Sequence, residues 1–160
     1  MKAPSYRERL LLLEEVLAGG IVLFRRLHES EEQLREQLIT GNHRALIEAE
    51  EKRASIREEI TALEERRKIL VPEGTGLQTY IKTKIGKSSQ GRLLARLNLI
   101  IRELREIKVI SAVNRNLLEE RLRFSKELQE KLLDSRLTYN ENGRLKKQET
   151  GPSQNLDHSC

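Results

Sequence analysis

Between Arg92 and Asn142 the chain contains neither glycine nor proline, and apolar residues return every three or four positions through most of that length. The series runs Leu93, Leu94, Leu97, Ile100, Ile101, Leu104, Ile107, Ile110, Val113, Leu117, Leu118, Leu122, Phe124, Leu128 and Leu132. Nothing in it can stop a helix, and the spacing is that of a helix with one apolar side, so it predicts one helix over residues 90–136, roughly 65–70 Å long. A helix of this length is held by packing its apolar stripe on other helices. The constraint therefore reaches the whole chain, which must supply long helical partners. Nine glycines and three prolines in 160 residues are too few for the turns of an all-β protein. With five aromatic residues and no tryptophan, the core has to be built from Leu, Ile and Val. At 37% hydrophobic and 34% charged, the chain is also too apolar to be wholly disordered.

The partners are legible upstream. Ser5 and Glu8 form the sequence of a capping box, in which hydroxyl and carboxylate satisfy free N–H groups at a helix start. The stripe that follows is Leu10, Leu13, Leu17, Gly20, Phe24, Leu27, Glu31, Leu34 and Leu38, apolar at seven of nine places, and predicts a helix over 6–39. Gly19-Gly20 within it predicts a bend or a close helix crossing. Gly41 suits a left-handed C-cap and Asn42 an N-cap, so a second helix over 43–70 must run antiparallel to the first. Its stripe is Leu46, Ala49, Arg53, Ile56, Ile60, Leu63, Arg67 and Leu70, and Pro72 ends it. Thr75 to Gln78 reads as a second capping box before a short helix over 77–84, and Ser88 or Ser89 as the cap of the last long helix. The heptad phase slips at Ser111 to Asn114, which brings Asn114 to the inner face as a polar layer. After Leu137 the apolar pattern stops, and 138–160 reads as a disordered tail behind a helical domain of residues 1–137. The fold class is an all-α antiparallel bundle of three long helices and one short one, with an overlong third long helix.

That excess length is the main functional lead. Helices of roughly 50 and 40 Å cannot cover one of 65–70 Å. If the pairing starts at residue 90, an uncovered apolar stripe remains around Phe124, Leu128 and Leu132, where a partner helix or a second copy of the chain could dock.

Catalytic chemistry finds no comparable support. Gly86-Lys87-Ser88 resembles the end of a phosphate-binding loop, but the glycine required five places earlier is replaced by Ile81. His28, His43 and His158 stand apart in sequence without a Cys, Asp and His set at ligand spacing, and Cys160 has no internal partner. The Glu pairs of the second helix sit on its wet face among Lys and Arg. The expectation is a non-enzyme without metal, cofactor or small-molecule ligand. The stretch Leu10 to Phe24 is too short and too charged to span a bilayer and lacks the flanks of a signal peptide, so the expected location is the cytoplasm. Of the net charge of +5, the excess lies in residues 71–112, where eight basic groups face three acidic ones. Lys82, Lys84, Lys87, Arg92 and Arg96 thus offer an alternative reading as an RNA-binding hairpin, although only Tyr80 could stack on a base there. A self-associating adaptor or scaffold is the other alternative.

The last third, with Val113-Asn114-Arg115-Asn116-Leu117-Leu118, then Leu122, Phe124 and Leu128, then Thr138-Tyr139-Asn140-Glu141-Asn142-Gly143, resembles the FlgN family of flagellar export chaperones. The preceding hairpin is similar in length and in its Glu, Lys and Leu character. The resemblance implies a cytoplasmic type III export chaperone that binds the hook-filament junction proteins FlgK and FlgL, prevents their early assembly and delivers them to the export gate. It further implies that Leu117, Leu118, Leu122, Phe124, Leu128 and Leu132 bind the substrate helix and that Tyr139 contacts the export-gate protein FlhA.

Overall fold

A computed structural model describes residues 5–134, 137–139 and 145–147 of the chain. Four helices account for nearly all of it: α1 (Tyr6–Thr40), α2 (His43–Leu70), α3 (Leu77–Lys84) and α4 (Lys87–Asp134). The all-α architecture is therefore the one the stripes imply. None of the helices is long and apolar enough to cross a membrane. The chain divides into two compact units, Met1–Leu118 and Glu119–Cys160.

In the first unit the local signals act as their chemistry dictates. The Ser5 backbone N–H donates to Glu8 Oε2 at 2.6 Å, while Ser5 Oγ accepts from the Glu8 N–H at 3.3 Å, closing the capping box of α1. Gly41 ends α1 in the left-handed region, at φ 79°, where a side chain would be strained, and Asn42 Oδ1 accepts from the Ala45 N–H to begin α2. The double glycine makes a close crossing and leaves α1 unbroken. A Cβ on Gly20 would stand 2.9 Å from Ile100 Cδ1, so a larger residue there would require the Ile100 side chain of α4 to shift.

Two capping expectations fail. Gly76 is the N-cap of α3 and no side chain caps it, so Thr75 and Gln78 do not form a box. α4 begins at Lys87, earlier than the apolar pattern indicates, which places Ser88 and Ser89 inside its first turn. Order at that elbow comes from farther away: the Gly86 N–H donates to Tyr6 Oη at 2.9 Å, and Gln90 Nε2 donates to the carbonyls of Lys82 and Ile85. A motif search over neighbouring residues misses such bonds because their partners come from other turns and other helices.

The core has three clusters along the hairpin of α1 and α2. The largest joins Leu13, Val16 and Leu17 of α1 to Tyr80 and Ile81 of α3 and to Leu93, Leu97 and Ile100 of α4, so α3 closes that end of the bundle. The second centres on Leu27, Ile56 and Ile107. The third holds Leu34, Leu38 and Ala49, with Leu46 and Leu117 against them.

Between the second and third clusters lies a polar layer. Glu31 is fully buried, and Arg53 Nη1 donates to both of its carboxylate oxygens, at 3.2 and 3.4 Å. Asn114 Nδ2 donates to the Glu31 carbonyl and to Glu31 Oε2, both at 2.9 Å. One polar place from each of the three stripes, Glu31, Arg53 and Asn114, thus meets the others. A buried carboxylate without such partners would cost several kcal/mol, roughly, which ties the register of α1, α2 and α4 to this layer.

In the second unit α4 continues to Asp134, and Leu137–Tyr139 and Leu145–Lys147 pair as antiparallel strands β1 and β2, with Tyr139 opposite Leu145. These strands fall within the segment for which the sequence predicts no order. The rest of the predicted tail lies outside the described residues.

Candidate docking face on α4

The C-terminal part of α4 forms because it has strong helix formers throughout, Leu, Glu, Lys, Arg and Gln, and no breaker. Its apolar residues are then placed by the helical period. Phe124, Leu128 and Leu132 follow at steps of four and share one stripe, whereas Arg123, Lys126 and Glu130 fall on the opposite side. Every residue from Glu119 to Leu132 is exposed. The large apolar side chains are no exception, with relative exposures of 62% for Leu122, 67% for Phe124, 48% for Leu128 and 62% for Leu132.

The six side chains that the resemblance assigns to substrate binding are therefore not equivalent. Leu122, Phe124, Leu128 and Leu132 are exposed on the second unit. Leu118, the last residue of the first unit, is exposed as well. Leu117 belongs elsewhere: it packs against the core cluster of Leu34, Leu38 and Ala49 and holds α4 to the α1–α2 hairpin. One helical step separates a core residue from a surface one, which stripe counting through the phase slip does not resolve. The backbone of Tyr139 pairs in β1, and its side chain lies outside the described residues.

The basic segment has a different character. Lys82, Lys84 and Lys87 are exposed, but Arg92 pairs with the Glu14 carboxylate and Arg96 Nη1 donates to the Glu14 carbonyl at 3.3 Å. Tyr80, the aromatic available there for stacking, is buried in the core. Lys87 and Ser88 lie in the first turn of α4, where the Gly86 N–H is already bound to Tyr6 Oη.

His28 is the residue whose surroundings the sequence hides. Its ring lies between α1 and α4, with Nδ1 3.1 Å from Glu103 Oε2 and 3.5 Å from Glu106 Oε2, and with Nε2 3.8 Å from Glu32 Oε1. Linear spacing shows no ligand set beside His28 because the carboxylates arrive from a helix about 75 residues away. The signal within reach was Glu103-x-x-Glu106, two acids one helical turn apart on the edge of the α4 stripe. Comparison with protein-family models, with curated proteins and with solved structures finds no match to this chain.

Proposed function

We propose that the protein acts without catalysis, by capturing an apolar helix of another protein on the exposed face of α4. Its resemblance to FlgN-type chaperones names the partners: FlgK and FlgL as substrates held before export, and FlhA as the export-gate protein contacted through Tyr139. The observation that carries the reading is the exposure of Phe124 and Leu128, one turn apart on a single stripe of α4. Covering such side chains stabilises a complex by ~1.5–3 kcal/mol each, and an amphipathic helix is the usual occupant of a face of this kind. The burial of Tyr80 and the engagement of Arg92 and Arg96 with Glu14 favour this reading over RNA binding through residues 82–96.

The test is a double substitution, Phe124→Asp with Leu128→Asp, titrated calorimetrically with purified FlgK or FlgL of the same host. Affinity should fall at least ~100-fold, since two anchors are lost and two charges must be desolvated. Helicity should be unchanged because both side chains are exposed. Wild-type affinity in the variant overturns the site. Tyr139→Ala should leave FlgK and FlgL binding intact while weakening that of FlhA; loss of both sinks the division of labour. Weakening of binding with salt should be shallow, whereas RNA binding through phosphates would fall steeply.

A further inference from the structure

We propose that His28, Glu103 and Glu106 form a binding site for a transition-metal dication, with Zn2+ the best fit. The site lies within residues 1–118 and does not rest on the chaperone reading.

The three ligand atoms, one imidazole nitrogen and two carboxylate oxygens, all lie within 4.8 Å of one another. The distances from His28 Nδ1, 3.1 Å to Glu103 and 3.5 Å to Glu106, suit one dication. With bonds of ~2.0–2.2 Å, ligand atoms around a four-coordinate ion stand roughly 3.3–3.5 Å apart. Two carboxylates therefore converge on a single ring nitrogen, although one N–H can make only one good hydrogen bond. A cation at the centre would bond to all three atoms at once.

The surroundings favour a positive ion. Three carboxylates, Glu32, Glu103 and Glu106, come within 4 Å of the one imidazole, in a protein that is basic in total. Glu103 is buried, with a side-chain exposure of 9%, and its nearest cations are loose: Arg25 at 3.7 Å and Arg102 at 3.9 Å, both on largely exposed side chains. Among the described residues, Glu103 has besides the His28 ring only these distant guanidinium groups, so a directly bound ion would add compensation for its buried charge. Glu32 Oε1 stands 3.8 Å from Nε2, beyond hydrogen-bond reach, so it adds negative charge beside the ring without fixing its tautomer. The mixed nitrogen and oxygen donor set suits Zn2+ better than Mg2+ or Ca2+, which take oxygen ligands. The α1 and α4 donors form the site only when the bundle is folded, so the ion should stabilise the fold.

Calorimetric titration of the metal-free full chain with Zn2+ tests this, together with thermal unfolding followed by circular dichroism. One ion should bind per chain and raise the unfolding temperature. Glu106→Gln, chosen because Glu106 is half exposed and the variant should fold normally, and His28→Gln should each lower affinity at least ~10-fold and abolish the thermal shift. His43→Gln and the pair His158→Gln with Cys160→Ser should do neither. Absence of binding, or undiminished affinity in both the Glu106→Gln and His28→Gln proteins, overturns the proposal. So does loss of binding only in the His158 and Cys160 variant, which would assign the ion to the C-terminal end.

Discussion

One helix, α4, carries two kinds of leucine. Leu93 and Leu97, in the first unit, are buried against α1 and α3, whereas Leu122 and Leu128, in the second, are exposed on the same helix. The pattern in the sequence is alike in both halves. What differs is whether another part of the chain supplies the covering side. A stripe thus records that a helix needs a neighbour, and the covering elements decide whether that neighbour is internal. In residues 87–118 the stripe holds the fold together, and in residues 119–132 its side chains are exposed.

Truncation on either side of that division should break the comparison most sharply if it is wrong. Ile56, at 0% exposure, sits in the second cluster with Leu27 and Ile107. Ile56→Ala should destabilise the protein by ~3–4 kcal/mol through lost burial and the cavity left behind. Leu122→Ala should change stability by less than ~0.5 kcal/mol, as an exposed helical leucine has no packing to lose. Urea unfolding monitored by circular dichroism reads both. A cost for Leu122→Ala approaching that of Ile56→Ala would mean that the second unit also uses its stripe internally.

The polar layer sharpens the comparison, because it is where the first unit departs from a plain apolar core. Arg53→Met removes the principal cation from buried Glu31, leaving Asn114 and a 3.7 Å approach from Arg57. The expected loss is ~3 kcal/mol, most of it the cost of an uncompensated buried charge. Replacing Glu31, Arg53 and Asn114 together by Leu, Met and Leu should recover that stability or exceed it. If the triple variant stays as unstable as Arg53→Met, packing around the layer outweighs its charge. Asn114 Oδ1 and Arg53 Nε have no partner within the layer, which is consistent with a stability cost retained for register.

How much could be read from the chain alone follows from the range of each interaction. Ser5 with Glu8, Gly41 with Asn42, and Pro72 after the stripe of α2 act within a turn or two, so their residues sit close in the sequence and the helix ends at 6, 43 and 70 follow directly. The start of α4 was placed late because it depends on Tyr6 and Gln90 reaching across the α3–α4 elbow. Only the resemblance groups Leu117 with the docking residues, and a likeness in sequence does not tell a covered turn from an uncovered one. The exposed face itself was legible from unequal helix lengths. The meeting of His28 with Glu103 and Glu106 was not, since it depends on how α1 and α4 are rotated against each other.

The smallest effect concerns the first turn of α1 and depends on pH. Two hydrogen bonds from Ser5, the stronger from its backbone N–H, hold the Glu8 carboxyl below its ordinary value of 4.5. A bond from the Arg67 guanidinium does the same to Glu64 on α2. The sign follows from linkage: a carboxyl depressed in the folded state contributes stability fully above its unfolded value, and that contribution is lost as pH falls through the folded one. Both groups therefore stabilise the protein at neutral pH; that contribution begins to fall below about pH 4.5 and is gone only below their lowered folded values. Glu8→Gln should remove one part of this dependence and Glu64→Gln the other, with little change at the acid end, where the wild-type groups are protonated too. Thermal unfolding at neutral and acid pH separates these contributions. Glu64→Gln should have the larger effect, because Glu8 is fully exposed and its bonds compete with water. Neither group lies in residues 119–134, so both variants should leave partner binding at neutral pH unchanged, keeping acid stability and recognition in different parts of the chain.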